Sequence, residues 1–340
     1  MTPAVASAAI EDFQQVFAAV RAEIARVVIG HENAIETILT AFFAGGHVLI
    51  EGVPGIGKTL IVRSLAEALN LSSNRIQFTV DLMPADITGT RIITESASGQ
   101  RELSFVPGPI FTHLLLGDEI NRATPKTQSA LLEAMAEHQV TVAGTSYRLM
   151  PPFFVLATLN PIEMEGTYQL PEAQLDRFLF KVLLAYPSEA ELIRILATTT
   201  TADPPTIRPV LDPEQAPARV EGLKRLVREV LVAPHVEQYV ARLVRLTTPA
   251  AARGDGDAEV EVRRYVTYGA SPRGAQSLVL GAKVMALLDG RPHVTYDDVD
   301  KLAVAALRHR LVMSFAAEAA GVAPAHIVER VLVAARRLRS

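Results

Sequence analysis

The sequence predicts an α/β fold, a parallel-sheet core over residues 1–187 followed by a smaller α-helical domain over 188–340. Three observations predict it. Short apolar runs ending in polar residues, at 47–50, 111–116 and 153–159, have the pattern of buried parallel strands. A glycine-rich loop from Gly52 to Thr59 stands between the first run and a helical stretch at 60–69, the strand, loop and helix order of a nucleotide-binding core. Beyond Tyr186-Pro187 the periodicity is mostly helical.

Each remaining element follows from local pattern. Phe13, Val16, Phe17, Val20, Ile24 and Val27 recur at three- and four-residue steps and predict an amphipathic helix over 10–28. Helical segments are expected around 126–137 and 172–175. Residues 91–105 and 140–147 have the apolar, turn, apolar pattern of hairpins inserted into the core, with ordinary edge strands as the alternative. Ser188 and Glu191 make a capping box for a helix over 190–196. A proline-bearing polar loop follows at 203–217, then helices at 219–232 and 235–247, a Gly/Asp loop at 253–257, and helices at 272–289, 295–310 and 324–338. Thr295 with Asp297 and Asp298 reads as an N-terminal cap.

At 340 residues the chain can bury a large core without covalent staples. It has no cysteine, which excludes disulfides, thiolate metal sites and cysteine nucleophiles and fits a reducing cytoplasm. With 33 Lys+Arg against 37 Asp+Glu, the net charge of −4 argues against bulk nucleic-acid binding. No run approaches the ~20 apolar residues of a membrane span. Glu11 and Asp12 interrupt the N-terminal apolar stretch, so no signal peptide is expected.

Gly52-x-x-x-x-Gly57-Lys58-Thr59 is a complete phosphate loop. Its glycines let the backbone curl around phosphate oxygens, and the helix that follows offers its positive end. Gly52, Pro54, Gly55, Ile56, Gly57, Lys58, Thr59 and Leu60 are the residues expected to hold a nucleotide. Lys58 would reach the β- and γ-phosphates, and the Thr59 hydroxyl would bind Mg²⁺. The run 114–119 ends in Asp118 and Glu119, which would serve the magnesium and a nearby water; a strand meeting solvent is the plain alternative. The third run ends at Asn160, whose amide would meet the water or the γ-phosphate, although asparagine is also common in turns. No histidine pair has zinc spacing, and no serine sits in a nucleophile elbow.

In these segments the chain resembles the MoxR group of AAA+ ATPases: Gly52–Thr59 (GVPGIGKT), Asp118–Arg122 (DEINR), 159–161 (LNP), 165–178 (EGTYQLPEAQLDRF) and 269–273 (GASPR), in family order over about residues 10–340. The resemblance implies an AAA+ core carrying helix-2 and pre-sensor-1 hairpin insertions, followed by a helical lid. It implies a homo-oligomeric ring, usually a hexamer, with ATP between neighbouring subunits. Asp118 and Glu119 then take the Walker B role, Asn160 is the sensor-1 residue, and Arg177 is the arginine finger offered to the next subunit. Arg177 alone reads as a surface ion-pair residue. Arg273 matches the sensor-2 arginine, acting in cis or in trans, and Val28 and Ile29 sit where the family lines its adenine pocket. Gly117 and Leu159 depart from the family's common Ala and Gln. Relatives act as chaperone-like remodelling or maturation factors beside partners with a von Willebrand factor A domain. A DNA-acting motor is the competing expectation, and net acidity weighs against it.

Overall fold

The computed structural model describes residues 3–95, 101–160, 168–254 and 256–337. The expected turn at 98–100, Pro161 and residues 165–167 lie outside them. The chain opens with helices α1 (Pro3–Val27) and α2 (Glu32–Ala44), then β1 (Val48–Glu51), α3 (Lys58–Leu69) and β2 (Ser73–Gln77). A short α4 (Pro84–Thr88) leads into the hairpin β3 (Gly89–Glu95) and β4 (Arg101–Pro107). Next come β5 (Leu114–Asp118), α5 (Pro125–Glu137), the hairpin β6 (Gln139–Val142) and β7 (Thr145–Arg148), β8 (Phe154–Leu159), α6 (Glu172–Leu175) and β9 (Phe180–Leu183).

The five core strands form one parallel sheet in the order β2-β5-β8-β1-β9. Strands β1, β5 and β8 are buried almost throughout, as their continuous apolar runs require. Both hairpins form. The second turns through Ala143 and Gly144, both with positive φ, the two-residue turn that matches strand twist. The hairpins touch: Phe105 stacks on Tyr147 at 3.9 Å between ring centroids, and Arg91 donates to the Thr145 hydroxyl at 2.6 Å.

Strand β5 begins three residues later than the apolar run at 111–116 suggests. Phe111 and Thr112 are held in turns by Gly108 and Ile110 carbonyls, and the Phe111 ring meets Phe105 of the first hairpin instead of entering the sheet. Its apolar character serves the hairpin base.

After β9 come α7 (Glu189–Thr199), α8 (Ala216–Glu229), α9 (Pro234–Leu246) and α10 (Asp257–Tyr265). They are followed by β10 (Val266–Tyr268), α11 (Pro272–Leu288), α12 (Tyr296–Leu307), β11 (Val312–Met313), α13 (Phe315–Ala320) and α14 (Pro324–Arg337). Helix α10 was hidden behind the charged Gly/Asp loop. The larger apolar core runs from α1 and α2 through one face of the sheet into α8–α12 and α14. Phe13 meets Phe43 edge-on, and Phe42 meets Phe154, so the first helices are pinned to the sheet by aromatic contacts. Helix α7 differs: it has the Ser188–Glu191 box that was expected, yet none of its residues is buried.

Candidate active site

The carboxyl ends of β1, β5 and β8 meet at one edge of the sheet, where open α/β folds bind ligands. The Gly52 N–H donates to the Leu159 carbonyl at 3.4 Å, tying the start of the glycine loop to the end of β8. A side chain at Gly52 would collide with Ile56 and the Leu184 carbonyl, which explains that glycine. Gly55 and Gly57 take φ of +82° and +91°, the left-handed region that favours glycine, and a Cβ at either would meet open space. The tip of the loop is therefore unobstructed, and α3 starts from it with its positive end.

Lys58 is buried and spans this loop, its Nζ donating to the Gly52 carbonyl at 2.8 Å. An ammonium has three donors, so phosphate oxygens have others to take. Burial lowers the affinity of Lys58 for its proton, while the nearby charges of Asp118 and Glu119 work in the opposite direction. Thr59 and Leu60 are exposed beside it. Val28 and Ile29 are buried just before a bend in which Gly30 and His31 both have positive φ. The Glu191 carboxylate of the α7 cap lies against Gly30.

Asp118 ends β5. Its Oδ1 accepts from the Thr158 hydroxyl at 2.6 Å, and its Oδ2 accepts from Arg75 at 2.7 Å. Glu119 then leaves the strand at φ 57°, a left-handed conformation uncommon for a side-chain-bearing residue. Its Oε2 accepts from Gln77 at 2.8 Å and Arg122 at 3.0 Å, and its N–H donates to the Thr158 hydroxyl at 2.8 Å. Asn160 is buried at the end of β8. Gly117 has a steric reason as well: a Cβ there would press on Leu131 and Phe78 at 3.3 Å.

Two expected residues lie elsewhere. Arg177 precedes β9, at the end of the sheet opposite Gly52, and its Nη1 donates to the Leu132 carbonyl at 2.5 Å. The four residues of β9 alone hold the two ends about 13 Å apart. Arg273, on the first turn of α11, lines the same 250 Å³ cavity as Arg177, together with Asp176 and Arg310. The Arg310 guanidinium is bonded to the Asp176 carboxylate at 2.7 Å, which leaves Arg177 and Arg273 as the cations of that cavity without a carboxylate partner among the described residues.

The residues present fit a magnesium-bound triphosphate. Thr59, exposed beside the loop, and Asp118 at the end of β5 carry the hard oxygen donors that would suit magnesium, and the remaining positions would suit phosphate and water. Arg75, Gln77 and Thr158 were missed by sequence reasoning. The first two lie on the polar edge strand β2, where only Ile76 is buried, so no apolar run revealed it. Their spacing of two, which puts both on one face of a strand, was the available signal.

The parallel sheet, the phosphate loop and the acidic strand end together define an ATPase of the AAA class. Residues 47–180 match the family model described as the ATPase family associated with various cellular activities, and residues 258–331 match an AAA lid domain. A Mycobacterium tuberculosis protein named Chaperone MoxR1 is 40% identical, over 91% of this chain and 79% of its own length. A Bacillus subtilis protein named YeaC is 40% identical over 96% of both chains. The Protein MoxR of Methylorubrum extorquens is 32% identical over 90% of both. The crystal structure of a protein named "putative ATPase" from Cytophaga hutchinsonii superposes with a TM-score of 0.86 at 36% identity, covering 97% of each chain. The chain belongs to the MoxR family of AAA+ ATPases.

Proposed function

We propose that the protein is a chaperone-like remodelling or maturation factor that hydrolyses magnesium-bound ATP at seams between copies in a ring, six being the expected number. Lys58 and the loop hold the phosphates, while Thr59 and Asp118 hold the magnesium, which neutralises charge on the phosphates. Glu119 orients and deprotonates the attacking water, and Asn160 bonds the water or the γ-phosphate. Val28 and Ile29 line the adenine pocket in this reading. In this reading the core ends near residue 187, the setting is cytoplasmic, and the partner carries a von Willebrand factor A domain. The alternative of a DNA-acting motor draws no support from the relatives or the net charge.

One observation carries the seam. Arg177 and Arg273 share a cavity at the end of the sheet opposite the loop, so they cannot touch a phosphate held by their own Lys58. Two cations set so far from their own site suit a neighbour's phosphates, where an arginine is worth roughly 10³–10⁵ in rate. Specific ATPase activity measured over a dilution series that spans assembly is then expected to rise with protein concentration. Flat specific activity across that series would overturn the proposal.

A further inference from the structure

Thr158 is wholly buried on β8, one residue past the point where Gly117 and Ala157 pair. Its hydroxyl makes two bonds of opposite sense: it donates to Asp118 Oδ1 at 2.6 Å and accepts the Glu119 N–H at 2.8 Å. A threonine hydroxyl has one proton, so giving it to Asp118 leaves only acceptor capacity for Glu119. The same atom thus fixes the rotamer of one acid and the left-handed backbone of the next.

We infer that Thr158 is a positioning residue that sets the working geometry of both acids. Its donated bond occupies Oδ1 of Asp118 and leaves Oδ2 as the oxygen available to a cation. In this structure Oδ2 is met by Arg75, whose side chain is 52% exposed and can swing into solvent. Thr158 has no such freedom. Its accepted bond holds Glu119 at φ 57°, where the chain turns out of the sheet toward Gln77 and Arg122. Without the hydroxyl, the Asp118 carboxylate gains rotational freedom and the strained turn loses its anchor.

This inference rests on reading Asp118 and Glu119 as the acids of the ATPase site, and the test separates the two. In the full chain, Thr158→Val, which keeps shape and loses the hydroxyl, is compared with Thr158→Ser, which keeps the hydroxyl. Binding of N-methylanthraniloyl-ATP is titrated in EDTA and at graded Mg²⁺, beside steady-state hydrolysis. The expected result for Thr158→Val is unchanged affinity in EDTA, with a Mg²⁺ half-saturation raised and a turnover lowered by about tenfold or more, the effect of one lost bond to a charged group. Thr158→Ser is expected within about threefold of wild type on each measure, a margin under 1 kcal/mol.

Wild-type Mg²⁺ dependence and turnover in Thr158→Val overturns the inference, and so does equal damage in Thr158→Ser. Where Thr158→Val melts early, Thr158→Ala takes its place in the same comparison. A wild-type chain that binds no nucleotide defeats the ATPase reading instead. Hydrogen exchange at the Glu119 amide then decides the role of the hydroxyl: faster exchange in Thr158→Val but not in Thr158→Ser upholds it, and equal rates overturn it.

Discussion

Glu119 shows what one side chain must satisfy at this site. Its Oε2 oxygen is shared by Gln77 and Arg122, whose donors stand where a water would have to bond to it. In the proposed mechanism at least one of these contacts loosens as water arrives. Asp118 and Glu119 were legible because an apolar strand ended in two acids. Thr158, Gln77 and Arg75 were not, because their meaning lies in partners about forty positions away, which only the pairing of β2, β5 and β8 brings close.

Another single residue governs behaviour in acid. His47 is buried between strands, with Nδ1 accepting the Val155 N–H at 3.0 Å and Nε2 bonded to the Met135 carbonyl at 3.2 Å. Burial, with help from neighbouring cationic groups, pushes its pKa down to about 3. In the unfolded chain histidine takes a proton near pH 6.5, so between these values the unfolded state binds more protons and stability falls as pH falls. His47 alone is expected to remove about 2 kcal/mol of stability between pH 7 and pH 5. Buried His309, its pKa also depressed by burial, acts in the same direction. Urea unfolding at the two pH values, compared between wild type and His47→Gln, checks this. A pH-dependent loss in the variant as large as in wild type would rule out His47 as its source.

At the scale of elements, amphipathic helices and fully buried strands were readable, since both leave a periodic or continuous apolar record. Strands β1 and β8 and the caps at Ser188 and Thr295 fall close to where the pattern put them, while helix α1 ends as expected but starts seven residues earlier, at Pro3. Strand β2 was silent because an edge strand with one buried residue has no such record. Near the C-terminus Arg310 pairs with Asp176, Arg330 with Asp257 and Glu261, and Arg336 with Asp300, contacts that no local pattern announces.

Helix α7 is the opposite case, an element whose local signals exceed its packing. Leu192, Ile193 and Leu196 are exposed, so an 11-residue helix is left to rely on its cap and backbone bonds. Its opening should be local rather than global. Amides of α7 are expected to exchange orders of magnitude faster than those of buried α11. Ser188→Ala should speed exchange in α7 a further fivefold or so, the equivalent of about 1 kcal/mol for a lost cap, without moving the melting temperature. Equal protection of α7 and α11 would mean that something covers that face in solution.

For the whole molecule, the decisive feature is polarity: the glycine loop and Lys58, proposed to hold phosphates, at the carboxyl end of the sheet, and Arg177 with Arg273 at the other. A unit with complementary ends repeats head to tail and closes into a ring when the rotation permits. If each site is built from two copies, defects in its halves can be divided between chains. Lys58→Ala lacks the nucleotide half and Arg177→Ala the arginine half, so each alone should lose ATPase activity by about 10³-fold or more. Mixed in equal amounts and allowed to exchange subunits, the two should regain activity. A working seam needs its loop from the Arg177→Ala chain and its arginine from the Lys58→Ala chain, a one-half chance for each, so about a quarter of seams are intact under random heterologous assembly. The mixture should therefore reach up to about a quarter of wild-type specific activity, falling back on dilution below assembly. A mixture no more active than the mean of its two components would place Arg177 outside the neighbour's site.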